Sequence, residues 1–186
     1  MKQFICNNPI LLDRFSQHSL YKTSLLNYFD KEEFFNENYK DDNITKVDWH
    51  KAKDFNRPWV KLIIEDLHKH FLKFANHMGF EKCMIDELWF QQYNKNGHHG
   101  WHVHGHNYTG VYYVNWNKEC AKTRYVDPIT QEVKDIEAEE GDVVIFPSTV
   151  IHRANKQEID FPKVIISFNI SFDNIQRDKL NQYENA

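Results

Sequence analysis

Gly97-His98-His99-Gly100-Trp101-His102-Val103-His104-Gly105-His106 places five of the chain's eleven histidines within ten residues, and Asn107-Tyr108-Thr109-Gly110-Val111-Tyr112-Tyr113-Val114 follows directly. The second run is rich in β-branched and aromatic residues and reads as a strand. Side chains of an extended segment alternate between its faces, so His102 and His104 project the same way. Two imidazoles then converge on one point, and a third donor from elsewhere in the chain would complete a metal site on a β scaffold.

That third donor is sought downstream. Gly141-Asp142-Val143-Val144-Ile145-Phe146-Pro147-Ser148-Thr149-Val150-Ile151-His152 reads as a glycine turn, a buried strand over Val143 to Phe146, a proline turn, and then a histidine. His152 is the candidate. Upstream, Glu87 to Tyr93 has strand character, and Val164 to Ile170 supplies a closing strand. Gly97 and Gly141-Asp142 mark turns between these strands. The polar tail after Phe172 is expected to be helical or frayed. Two or three imidazoles with open coordination positions suit redox-active iron better than closed structural zinc, although the spacing admits either.

The pattern changes N-terminal to Gly79. Val60, Ile63, Ile64, Leu67, Phe71, Phe74, Ala75 and Met78 recur at three- and four-residue steps, which predicts an amphipathic helix from Pro58 to Met78. Pro58 suits the first turn, and Gly79 suits a left-handed residue just past the end. His68, His70 and His77 fall on the polar side of this helix among lysines and are expected to be solvated, as are His98, His99 and His106. Residues 30 to 56 show no steady periodicity and read as an irregular surface excursion. Residues 1 to about 25 read as a strand or loop.

The whole-chain properties narrow the function. At 186 residues, one domain spanning 1–186 is expected. A formal charge of −4 and an isoelectric point near 6.2 remove the simplest argument for nucleic-acid binding. No apolar run approaches the roughly 18 residues needed to span a bilayer, and the start lacks a signal-peptide core, so a cytoplasmic protein is expected. Cys6, Cys83 and Cys120 are widely spaced and odd in number, and read as reduced thiols. The oligomeric state stays open between monomer and homodimer.

From about residue 87 to 172, roughly half the chain, the sequence resembles the small 2-oxoglutarate/Fe(II)-dependent oxygenases of the double-stranded β-helix superfamily, relatives of prolyl 4-hydroxylases. The resemblance rests on Tyr93 and Gly97 ahead of WHVHGHNYTGVYYV, then GDVVIFPSTVIH, then KVIISFN, in that order. No single piece is specific, but the combination is.

The resemblance implies a mainly β fold with flanking helices (α+β), a jelly-roll or cupin-like barrel with an N-terminal helix packed on it. It implies Fe(II) as cofactor, 2-oxoglutarate as cosubstrate, and hydroxylation by O2 of an unidentified small molecule or peptide, with release of succinate and CO2. In the superfamily a cation about ten residues after the distal histidine pairs with the far carboxylate of 2-oxoglutarate. Lys163 stands eleven after His152. Ser167 and Asn169 share its strand face as hydrogen-bond donors, Tyr93 stands nine before His102 where relatives carry a cosubstrate-binding tyrosine, and Arg153 is an alternative anchor. One departure matters: His104 occupies the position of the usual aspartate ligand. The third ligand is then His104 itself, a water, or a carboxylate from elsewhere such as Asp142. Two rival readings follow, a cupin-type three-histidine dioxygenase without 2-oxoglutarate and an inactive binding module on the same barrel.

Overall fold

A computed structural model describes residues 9–31, 35–37 and 41–184. In chain order the elements are β1 (Leu11–Arg14), α1 (His18–Lys31), β2 (Phe35–Glu37), β3 (Ile44–Val47), a 3-10 turn (Trp49–Lys51) and α2 (Pro58–His77). There follow β4 (Phe80–Tyr93), β5 (His99–His102), β6 (Tyr108–Asn115), β7 (Thr123–Val126), β8 (Val133–Asp135), β9 (Asp142–Pro147), β10 (His152–Ala154), β11 (Lys163–Ile175) and α3 (Arg177–Glu184).

The strands form two antiparallel sheets, one of seven strands in the order β1-β9-β6-β11-β4-β3-β2 and one of four in the order β5-β10-β7-β8. Together they make a double-stranded β-helix, as expected from the sequence. Its longest strand, β11, shows why. Val164, Ile166, Phe168 and Ile170 join the apolar layer that α1 and α2 form against the large sheet, whereas Ile165 joins the layer between the two sheets. Strict alternation thus gives one strand two buried faces with different roles. The odd-numbered face, which carries Lys163, Ser167 and Asn169, is the one available to a site inside the barrel.

Helix α2 behaves as its periodicity predicts. Trp59, Val60, Ile63, Leu67 and Phe71 are fully buried against the large sheet, each stabilising the fold by about 2 kcal/mol through area removed from water. Gly79 ends the helix with φ +87°, a conformation that costs glycine nothing.

Four expectations need correction. Residues 1 to about 25 were expected as strand or loop, but from His18 onward they belong to helix α1, which continues to Lys31 and anchors through Leu25 and Phe29. The excursion over residues 30–56 contains β3 and the 3-10 turn, and its Asp48 is buried. Asp48 accepts hydrogen bonds from the Arg57 guanidinium, from Trp59 Nε1 at 3.0 Å and from the Phe90 amide at 2.7 Å, so it ties the turn to both α2 and β4. His70 is 2% exposed, wedged edge-on against Phe15 and Phe74 with Nε2 lacking a hydrogen-bond partner, rather than solvated. His68 is half-buried and bonds the Cys83 carbonyl at 2.8 Å, whereas His77 is exposed. The tail is helical as α3. Cys83 and Cys120 are buried free thiols, and Cys6 lies outside the described residues. Among the described residues, no helix is long and apolar enough to cross a membrane.

Candidate metal centre

The small sheet positions the histidines. β5 and β10 pair so that His102 and His152 are register partners, and their ring centroids lie 4.3 Å apart. His104 follows β5 in a segment pinned by its own amide, which donates to the Ser148 carbonyl at 3.0 Å. Its ring sits 5.1 Å from that of His102 and 5.2 Å from that of His152. One nitrogen from each of the three lies within 4.8 Å of the others. His102, His104 and His152, the three candidates from sequence, are therefore brought together, and among the described residues no carboxylate joins the cluster. Asp142 is occupied elsewhere, accepting the Glu139 amide at 2.7 Å and facing Arg14 at 3.4 Å.

Two of the rings have a fixed tautomer. His102 Nδ1 lies 2.8 Å from the Gly100 carbonyl, and His152 Nδ1 lies 2.9 Å from the Val150 carbonyl. A carbonyl can only accept, so Nδ1 carries the proton and Nε2 keeps its lone pair for a ligand, the usual outer support of metal-binding histidines. Burial, reinforced by the neighbouring imidazoles, pushes the pKa of His152 down to about 2 and that of His104 to about 3. Burial likewise lowers that of His102. At neutral pH all three are uncharged, the protonation state a metal requires. A donor set of three neutral, convergent imidazoles, two of them held by backbone carbonyls, fits a divalent transition-metal ion.

A cavity of about 30 Å³ adjoins the triad, lined among others by Trp89, Gln91, Tyr93, Gly110 and Ser167. Gly110 is required there, because a Cβ would come 2.1 Å from the Val144 carbonyl and 2.6 Å from the Phe168 ring. Lys163 is 1% exposed and faces Tyr93 across the β11–β4 register. Its Nζ donates to the Ala121 carbonyl at 2.7 Å and lies 5.4 Å from the Tyr93 ring centre and 5.0 Å from that of Trp116. Burial lowers its pKa to about 8. Lys163 is not on the wall of this cavity, whereas Ser167 is, with its hydroxyl donating to Gln91 at 2.8 Å. Asn169 is turned elsewhere. Its amide donates to Glu87 at 2.6 Å, and it is absent from the cavity wall.

His99 was expected to be solvated but belongs to this site. Its ring stacks on His102 at 3.9 Å with 21° between planes, and Nε2 lies 3.6 Å from Asp42. It lines both the small cavity and a wider one of about 730 Å³ outside it. The period-two rule hides this placement, since His99 and His102 are three residues apart. A register shift, in which Ala154 pairs with His99 while His152 pairs with His102, brings both to one side. His98 bonds the Asn96 carbonyl at 2.9 Å in an exposed setting, whereas His106 Nδ1 is buried 3.9 Å from Glu87 rather than solvated. Gln157, also unforeseen, is fully buried. Its side chain accepts the Ala121 amide at 2.8 Å and donates to the Phe161 carbonyl at 2.9 Å, holding the residue whose carbonyl receives Lys163.

No family model matches the sequence. No curated protein matches it either. Solved structures do match. A prolyl-4-hydroxylase from Pseudomonas putida is 15% identical at a TM-score of 0.64, covering 87% of this chain and 92% of that one. The viral collagen prolyl hydroxylase of Paramecium Bursaria Chlorella virus-1, in its 2OG complex, is 14% identical at a TM-score of 0.63, covering 87% and 94%. The non-heme alpha-ketoglutarate-dependent epimerase SnoN from nogalamycin biosynthesis is 10% identical at a TM-score of 0.67, covering 88% and 76%. The chain has the double-stranded β-helix fold of these oxygenases over nearly its whole length.

Proposed function

We propose that this chain is a non-haem Fe(II), 2-oxoglutarate-dependent dioxygenase that hydroxylates an unidentified substrate and releases succinate and CO2. The carrying observation is the convergence of three neutral imidazoles, His102, His104 and His152, the first and last oriented from behind by backbone carbonyls, in a barrel that also buries a lysine paired in register with Tyr93. The fold shared with solved oxygenases supports the same reading.

The three imidazoles would hold the ion. When bound, iron supplies open coordination positions for cosubstrate and O2 and the electrons that activate O2. The protein's own contribution is orientation and exclusion. Lys163 would meet the far carboxylate of 2-oxoglutarate by turning from the Ala121 carbonyl, with the Tyr93 and Trp116 rings flanking its ammonium group. Val111, Phe146 and Ile165 keep the surroundings dry. No side chain is required as a general base. Because the triad is neutral, the dianionic cosubstrate offsets charge that an aspartate would otherwise balance.

The test is anaerobic addition of Fe(II) and 2-oxoglutarate, read by the visible charge-transfer band of the chelate, followed by oxygen and measurement of succinate. A band that disappears in His102→Ala and His152→Ala supports the reading, and iron binding without a band overturns it. His104, standing where a carboxylate is expected, favours one second reading, a three-histidine dioxygenase whose substrate binds the metal directly. Retained iron affinity with no 2-oxoglutarate affinity would select that reading.

A further inference from the structure

The wide cavity beside the triad has a volume of about 730 Å³, within the roughly 300–1,000 Å³ typical of small-molecule sites. It shares His99, Arg153 and Ala154 with the triad-side cavity, so the two cavities adjoin through these residues, although none of the three candidate metal ligands lines the wider one. His99, stacked on His102, forms part of the common wall, and Arg153 directly follows His152 in β10.

Arg153 is the unusual group. Arg14, Arg57 and Arg124 each face a carboxylate, whereas Arg153 makes no ion pair with any described acidic residue; Arg177 makes none either but is exposed, while Arg153 is half-buried. Its guanidinium lies 4.6 Å above the Trp101 ring, and Nε is shielded from water without a hydrogen-bond partner. A buried donor left unmatched costs about 1–3 kcal/mol, so its retention asks for a use. Stacking on an aromatic face holds the planar fork rigid and leaves its edge able to grip a carboxylate through two parallel bonds. Trp101, 42% exposed, offers apolar surface beside it.

The remaining charges on the wall decide the ligand class. Lys156 adds a second cation, but Asp41, Glu119 and Glu158 are also present. Three carboxylates would repel a phosphate or a dicarboxylate and would attract an ammonium group. We propose that this cavity binds the substrate to be oxidised, and that the substrate is a small zwitterion of the amino-acid type, its carboxylate on Arg153 and its ammonium group on the acidic wall. This inference rests on the oxygenase reading for its chemistry, though not for its binding.

The experiment uses ligand-observed NMR with the full chain, with and without Fe(II) and 2-oxoglutarate under anaerobic conditions. The probes are the twenty free amino acids, their carboxamides, the corresponding decarboxylated amines, and short peptides. Binding of at least one free amino acid, weakened tenfold or more in its carboxamide and in Arg153→Gln, with the 2-oxoglutarate charge-transfer band unchanged in that variant, is the expected result. Trp101→Leu, which leaves the guanidinium in place, should weaken the same ligand. A thermal melt confirms that both variants fold. If no amino acid binds, if amines or peptides bind equally well, or if Arg153→Gln instead weakens 2-oxoglutarate, the proposal is overturned. Amino-acid binding without any charge-transfer band would overturn the oxygenase reading and leave the binding site standing.

Discussion

His102 and His152 face each other as register partners across β5 and β10, whereas His104 reaches the same point from the segment beyond β5. Two candidate ligands are therefore placed by backbone pairing and one by a loop, and strand-borne positions hold their geometry more tightly. His102→Ala and His152→Ala should each weaken Fe(II) binding by more than about 100-fold, beyond the range seen on losing a mere outer-shell partner. His104→Asp should retain the metal, since two imidazoles and a carboxylate also make a competent iron site. Anaerobic competition against a chromogenic chelator measures all three. Equal loss in the aspartate variant would mean that the loop cannot adapt to the shorter side chain.

Asp48 and Arg57 form a buried ion pair whose acid also receives Trp59 Nε1 and the Phe90 amide. Removing one partner strands the other in a dry environment, at a cost of about 3–5 kcal/mol. Asp48→Ala should lower the urea midpoint accordingly, and Arg57→Met combined with Asp48→Leu should recover part of the loss. A shift of the single variant below about 1 kcal/mol would show that water reaches the Arg57 head group.

His70 supplies a pH dependence remote from the metal centre. Burial is the main cause of its lowered pKa, with Lys73 acting the same way and Asp13 opposing, relative to the usual 6.5. The folded state then holds fewer protons than the unfolded state just below pH 6.5, so this contribution to stability is complete above that value and lost as the pH falls. His70→Phe fits among Phe15 and Phe74 and removes the titration. Its melting temperature should fall less steeply than that of the wild type between about pH 6.5 and 5, as read by scanning fluorimetry in chelator. Parallel curves would exclude His70 as a contributor to acid sensitivity.

What was legible in the sequence was what repeats locally. The alternation over Val164 to Ile170 and the three- and four-residue steps of α2 declare a two-faced strand and an amphipathic helix, and the candidate ligand histidines lie in or beside strand-like segments. Strands β7, β8 and β10 contain only three or four residues each, too few for a period to show, and they exist because partners distant in sequence satisfy their backbone groups. Helix α1 buries only His18, Leu25 and Phe29, which leaves little stripe to detect. Asp48 reads as a surface acid until Arg57 and the Phe90 amide are folded onto it. His99 escaped for the reason given by the register shift at β10, where one irregular pairing reverses the face that alternation assigns. Asn169 shows the converse, since alternation names its face but not the Glu87 carboxylate that holds its amide.

Lys163 is buried with only the Ala121 carbonyl as hydrogen-bond acceptor, and burial lowers its pKa from 10.5 to about 8. A base whose folded pKa is depressed destabilises the fold wherever the unfolded chain is protonated, so at neutral pH Lys163→Met should melt at a higher temperature than the wild type. The same ammonium is the proposed grip on a carboxylate, and stability and binding should move in opposite directions. Calorimetric titration of 2-oxoglutarate into the metal-loaded protein should show affinity level up to about pH 8 and falling beyond it, approaching tenfold per pH unit, as the free protein loses the Lys163 proton. In Lys163→Met the affinity should be weak and flat over the same range. A wild-type affinity that stays level to about pH 9.5 would remove Lys163 from the cosubstrate site and leave Arg153, which keeps its charge throughout, as the cation to test next.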